Sequence, residues 1–411
     1  MKIYKRKHLL KKIIPHIDKN IIKIITGMRR SGKSVILKQI RNYIFEEKSS
    51  GKKNYLIIDK ELNSFNTIQN DKDLTAYIEN NFKNTEGKKY IFIDEVQLIE
   101  KWEKTINSLL KLEEYDIYIT GSNSSMLSSE ISTLIAGRYI NIEVSPLSFQ
   151  EYYEFVGNLF IDSNEAFEYY LRYGGMPYIL CYSKEQLEDD IIYQYIRAIY
   201  NSVVLKDIIE KNPIRDTAEL ERISIYLFDN VGNPTTASKI SYYLKSLKSG
   251  LTVQTVLNYI KYFTDSYLMH KCQRYNIRDK KLLSVNSKYY ANDIGLINGV
   301  LGYSINRIGG ILENLVYMEL LRKGFDVKIG YINGKEIDFI AEKRNKKVYI
   351  QVTYQLGDPA GDTHKRKYGP LLAIKDNFPK YILSTEGKIA GEGELGIKRL
   401  NVCEFLLNNK L

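Results

Sequence analysis

The chain has 411 residues, which at about 100–200 residues per domain calls for roughly two to four domains. Its 44% hydrophobic and 27% charged content is that of globular proteins and excludes a disordered or collagen-like chain, and no apolar run of about 18 residues predicts a membrane span. The net charge of +11 favours polyanionic partners such as nucleic acid, although an AT-rich genome alone produces chains rich in Lys, Ile, Asn and Tyr.

The N-terminal run MKIYKRKHLLKKII is basic but lacks a long apolar stretch and a small-residue cleavage site, so it reads as mature sequence. Short β-rich runs follow at 21–26, 54–59, 89–94, 116–121 and 139–144, with helical patterns between them, such as 35–47 and 102–114. That alternation predicts an α/β domain, a parallel sheet with helices on both faces, over 1–145.

The first strand runs into Gly27-Met28-Arg29-Arg30-Ser31-Gly32-Lys33-Ser34-Val35, which matches G-x-x-x-x-G-K-[ST] and opens a helix. Backbone N–H groups of such a loop cradle phosphates, its glycines permit the curl, and the helix N-terminus adds partial positive charge. Lys33 is expected to reach the β- and γ-phosphates of ATP, and Ser34 to offer its hydroxyl to Mg²⁺. The strand Ile91-Phe92-Ile93 ends in Asp94-Glu95, as a Walker B strand does. Asp94 would hold Mg²⁺ and Glu95 would polarise the attacking water. At the tip of the next strand, Asn123 or Ser122 could sense the γ-phosphate, or both could be turn formers. Arg138 could touch phosphate from within the chain or from a neighbouring copy, or be a solvated surface arginine.

Beyond Ser145 helices are expected at 146–157, 164–175 and 188–211, forming a helical linker or lid region over 146–215. Helices at 217–230, 235–248 and 252–268, with Thr235 and Thr252 as N-caps, lead to strands near 268–275 and 284–290. Helices, a glycine-containing turn and a hairpin make a winged helix-turn-helix pattern over 216–300. In its last helix Val256, Leu257, Ile260, Phe263 and Tyr267 should be buried, and Gln254, Thr255, Asn258 and Lys261 exposed. That polar face and the basic turn Arg278-Asp279-Lys280-Lys281 fit DNA contact; a structural or protein-docking winged helix fits the same pattern. The last segment, 301–411, opens with a helix at 311–323 and strands near 326–331, 336–342 and 347–354.

Several runs together carry a resemblance: GMRRSGKS, IFIDEVQ, ITGSNSSML, AGRY followed by SPLSFQEY, and the YGGMP of 173–177. With them the chain resembles the bacterial and archaeal AAA-family ATPases that carry a C-terminal domain of unknown function related to restriction endonucleases. The resemblance implies an AAA-like sheet, a winged-helix middle and a nuclease-like tail. A nuclease of that kind would place acidic groups from a helix and two strands around a metal. Here Glu313 and Asp338 are present, but Gln351-Val352-Thr353 stands where Glu-x-Lys is expected. The lost lysine would leave phosphate charge without a partner from that strand, so an eroded, non-cleaving domain that docks a protein partner or holds DNA is expected.

Cys181, Cys272 and Cys403, like His8, His16, His270 and His364, are scattered without metal-ligand spacing, which predicts a reducing, cytoplasmic setting and no zinc site. The leading reading is an ATP-hydrolysing switch or motor acting on DNA or a protein partner, with assembly into homo-oligomers open. The alternatives are an ATP-gated, metal-dependent nuclease and a signalling ATPase that assembles without touching DNA.

Overall fold

The computed structural model describes residues 4–48, 54–127, 135, 137–182, 189–358, 361–386 and 394–408. Ala136 of the AGRY run and Glu188 of the expected 188–211 helix lie outside them. The chain forms two compact units, Met1–Ser145 with Asp265–Tyr267, and Pro146–Thr264 with Leu268–Leu411.

In the first unit the order is α1 (Lys7–Ile13), β1 (Ile22–Thr26), α2 (Lys33–Lys48), β2 (Tyr55–Asp59), α3 (Asp71–Phe82), β3 (Lys89–Asp94), α4 (Trp102–Lys111), β4 (Tyr115–Gly121) and β5 (Tyr139–Glu143). The strands form a five-stranded parallel sheet in the order β2-β3-β4-β1-β5. Both faces are covered, because alternate side chains of each strand point to opposite sides. Ile22, Ile24, Ile91 and Ile93 pack with Leu74 and Ile106 of α3 and α4. Ile25, Phe92 and Tyr118 pack with Leu9, Ile36 and Ile40 of α1 and α2.

The second unit begins with α5 (Phe149–Val156), α6 (Ser163–Tyr173) and α7 (Asp189–Ser202), which passes into a π-helical stretch over Val203–Ile209. Ser148 and Glu151 form a capping box at the start of α5. Next come α8 (Thr217–Asp229), α9 (Ala237–Ser246) and α10 (Val253–Asp265), then β6 (Met269–Asn276), β7 (Lys281–Ala291) and α11 (Ile294–Leu301). The chain continues with α12 (Ile308–Arg322), β8 (Asp326–Ile332), β9 (Lys335–Lys343), β10 (Lys346–Val352), α13 (Asp362–Leu372), β11 (Lys380–Ser384), β12 (Ile397–Asn401) and α14 (Val402–Leu407). Its sheet has seven strands in the order β12-β11-β10-β9-β8-β6-β7.

The β6–β7 hairpin read as a wing is the edge of the C-terminal sheet, because β6 pairs in parallel with β8 through Arg274–Ile329 and Asn276–Tyr331. Two local expectations also change. Thr236, not Thr235, caps α9 by accepting from the Lys239 N–H, while the Thr235 backbone is bridged to Ser287. Thr252 does accept from the Thr255 N–H, at 3.2 Å. In α10 the buried stripe is Val256, Tyr259, Ile260 and Phe263, and Leu257 is exposed. A one-residue offset turns a helical side chain by about 100°, which carries Leu257 off the stripe.

The YGGMP run has a structural explanation. Gly174, with φ +74°, ends α6, and the Asp293 carboxylate accepts from the Gly175 N–H at 2.7 Å and the Gly295 N–H at 2.8 Å. A Cβ on Gly174 would lie 2.1 Å from Asp293 Oδ1, and one on Gly175 would lie 2.2 Å from the Leu147 carbonyl oxygen. No helix among the described residues is long and apolar enough to cross a membrane.

Candidate nucleotide site

The loop between β1 and α2 has the curl its sequence predicts. Gly27 has φ +144°, Arg30 +66° and Gly32 +101°. Only glycine adopts the first of these without strain, and a Cβ there would come 2.3 Å from the Val144 carbonyl oxygen. Met28, Ser31 and Lys33 are buried, Gly32, Ser34 and Val35 half-buried, and Arg30 exposed. Arg29 is held outward by Glu61, at 2.8 Å.

Parallel pairing brings the second motif alongside. β1 neighbours β4 and β4 neighbours β3, so the C-terminal ends of all three strands open on the loop's side of the sheet. Asp94 ends β3 and is hydrogen-bonded to the hydroxyls of Ser34 and Thr120. Burial raises the Asp94 pKa above the usual carboxylate range, and these two hydrogen bonds oppose that rise. Glu95 takes a left-handed backbone, φ 54°, and its N–H donates to Thr120 Oγ1 at 2.9 Å. The Glu95 carboxylate accepts from the Gln97 amide and lies 3.5 Å from Lys33 Nζ, which also donates to the Met28 carbonyl at 3.2 Å. Ser122, 3.5 Å from Gln97 Nε2, and Asn123 are both buried just beyond β4.

Thr120 and Gln97 belong to this cluster without having been singled out in the sequence. Their signal was position: Gln97 follows the acidic pair by two residues, and Thr120 lies at the end of β4, the strand beside β3. Arg138 does not join them. It precedes β5, whose Tyr139 pairs with Ile22, the first residue of β1, while the loop follows Thr26, the last. At about 3.3 Å per residue in a parallel strand, Arg138 lies at the other end of the sheet and is exposed. The within-chain role considered for it is therefore excluded by register.

The loop fits a phosphate-bearing ligand on two observations. Gly27, whose Cβ would strike the Val144 carbonyl, fixes the tight curl of the loop, and the buried Ser31 hydroxyl has no hydrogen-bond partner within the protein. Ser34 and Asp94, already in contact, are the oxygen pair that fits Mg²⁺.

Residues 19–153 match the AAA domain family, and residues 164–306 match a family described as a domain of unknown function. An uncharacterized protein of Haemophilus influenzae is 35% identical over 408 residues, covering 98% of each chain. The chain belongs to this family of AAA-domain P-loop ATPases. An uncharacterized protein of Methanocaldococcus jannaschii is 32% identical over 379 residues, which cover 89% of this chain and 80% of that one. The fold is also that of a Walker-type ATPase of Pyrococcus abyssi, with a TM-score of 0.51 at 14% identity over 73% of this chain and 96% of the other.

The second unit of this chain holds another polar cluster. Glu313 of α12, Asp338 of β9 and Gln351 of β10 are brought together, as the sequence suggested. At the position two residues after Gln351 the strand supplies no lysine, as expected, and α13 supplies one instead. Lys367 Nζ lies 2.7 Å from Asp338 Oδ2 and 3.3 Å from Gln351 Oε1, whereas Thr353 donates to the Gln355 carbonyl. A lysine two residues after the glutamine is replaced by one from a different element, which spacing along β10 does not reveal.

Proposed function

We propose that the chain binds ATP with Mg²⁺ at residues 27–35 and hydrolyses it, as a nucleotide-dependent switch or motor. The observation that supports this best is the convergence of Lys33, Ser34, Asp94, Glu95 and Thr120 at the C-terminal ends of three adjacent parallel strands. In this reading Lys33 and the loop N–H groups hold the phosphates. Glu95 takes the proton of the attacking water as its oxygen bonds to the γ-phosphorus and ADP leaves. Gln97 orients the Glu95 carboxylate, and Asn123 or Ser122 senses the γ-phosphate. Ser34 and Asp94 hold Mg²⁺, which supplies neutralising charge to the phosphates. Arg138 acts on a neighbouring copy in a homo-oligomer.

The partner on which turnover acts is DNA or a protein. The exposed Gln254, Asn258 and Lys261 of α10 and the exposed Arg278, Lys280 and Lys281 of the hairpin turn support DNA contact, and the C-terminal sheet offers a surface for a protein partner. A cytoplasmic setting suits both. Phosphate release by the full chain, with and without DNA, tests the reading: stimulation by DNA supports the DNA-directed switch. Equal rates for wild type and Glu95→Gln remove the ATPase assignment.

A further inference from the structure

The second unit contains a cleft of about 690 Å³ with Glu313, Glu336, Asp338 and Gln351 on its floor. These groups already have counter-ions. Lys288 Nζ, almost wholly buried, lies 2.8 Å from Glu313 Oε1 and 2.6 Å from Glu336 Oε1. The Tyr290 hydroxyl donates to the same Glu313 oxygen at 2.6 Å, and the Val352 N–H donates to Asp338 Oδ2 at 2.7 Å. Lys367 satisfies Asp338 and Gln351 with two of its three N–H donors. Among the described residues, no group of three or more His, Cys, Asp or Glu side chains is placed to hold a metal ion. A divalent ion entering here would have to displace a buried ammonium and leave it unpaired in a low dielectric, which is strongly unfavourable.

The mouth of the cleft has the opposite character. Lys335, Lys365 and Arg366 line it, are exposed, and form no ion pair among the described residues. Five cations in all face three carboxylates, an excess of two positive charges. The wall is open beside Gly309 and Gly334, where a Cβ would meet nothing within 4 Å. Separate long cations around an open, glycine-walled cleft suit a tetrahedral anion whose charge is spread over several oxygens. The cleft volume is in the range that takes a nucleotide-sized group.

We infer that this cleft binds a phosphate group of a nucleic acid or a free nucleotide without a metal ion, with Lys288 and Lys367 as the resident counter-charges of its carboxylates. Lys335, Lys365 and Arg366 meet the ligand, and Lys367 has one N–H donor left for it. The carboxylates serve to fix the two inner lysines, so phosphate is held and not cleaved.

The test uses the full chain in the Lys33→Ala background, so that the P-loop is not a second phosphate site and the outcome is independent of the ATPase reading. A labelled single-stranded oligonucleotide is titrated by fluorescence anisotropy in EDTA, then competed with AMP. Binding in EDTA is expected. Lys365→Ala with Arg366→Ala, both exposed and so compatible with folding, should weaken it roughly tenfold and lower the log–log salt slope by about 2. Displacement by AMP would identify the free nucleotide as the source of the phosphate, and resistance to AMP would identify the polymer; either supports the site. Three results overturn it: no binding in EDTA, binding that the double variant leaves unchanged, or shortening of the oligonucleotide with Mn²⁺ that Asp338→Asn abolishes.

Discussion

Lys33 Nζ lies 3.5 Å from Glu95 Oε1, and both side chains are buried. The cation that would hold phosphate and the carboxylate that would activate water therefore neutralise one another, and a phosphate that engages Lys33 competes with Glu95 for it. Removing either partner should have a different effect. Lys33→Ala should abolish nucleotide binding. Glu95→Gln should bind as well as wild type or better, because its competitor charge is gone, while hydrolysis falls on the order of 10²–10⁴-fold. Fluorescent-nucleotide titration with phosphate-release rates separates the two, and weaker binding by Glu95→Gln would contradict the competition.

Gly27→Ala should damage the loop from its backbone. With φ +144° and the Val144 carbonyl oxygen 2.3 Å from the added Cβ, the alanine cannot be accommodated in place. A loss of roughly 1–3 kcal/mol of stability is expected, together with loss of nucleotide binding. Thermal melting with and without ATP reads both, and an unshifted Tm that still rises with ATP would rule out the steric account.

Arg138→Ala should leave nucleotide affinity unchanged, because the residue is at the far end of β1 from the loop. If it works from a neighbouring copy, turnover should fall on the order of 10³-fold. Mixing with Lys33→Ala should then restore part of it. Wild-type turnover in Arg138→Ala, independent of protein concentration, takes the residue out of the catalytic set.

Asp293 carries a pH signature. Burial pushes its carboxyl up to about 6, against the N–H groups of Gly175 and Gly295 that favour the charged form. Between about pH 4 and pH 6 the folded chain keeps a proton that the unfolded chain has released, so this group's contribution to stability falls as pH rises through that window. The full span is on the order of 3 kcal/mol. Asp293→Asn should be less stable, since an amide can accept from only one of the two N–H groups, but should lack this slope. Urea midpoints across the window measure it. A wild-type-minus-variant difference that does not change with pH would contradict the assignment.

The residues themselves determine the nucleotide loop and the acidic strand end. Gly27 to Ser34 is a single loop entering α2, and Ile91 to Glu95 a single strand end, so their chemistry follows from local spacing and backbone freedom. The strands of the first unit are equally legible, because the three central ones, β1, β3 and β4, are short runs buried on both sides, and the edge strands β2 and β5 are short apolar runs of the same kind. What only the tertiary structure decided depends on which strands pair and in what register. Thr120 reaches Asp94 because β4 lies beside β3, and Arg138 is carried away from the loop because β5 runs parallel to β1. The hairpin of β6 and β7 belongs to the C-terminal sheet because β6 pairs with β8, about 50 residues further along the chain. Lys367 stands in for the lysine absent at Thr353 because α13 packs across β9 and β10, a proximity set by long-range packing rather than by spacing along any one strand.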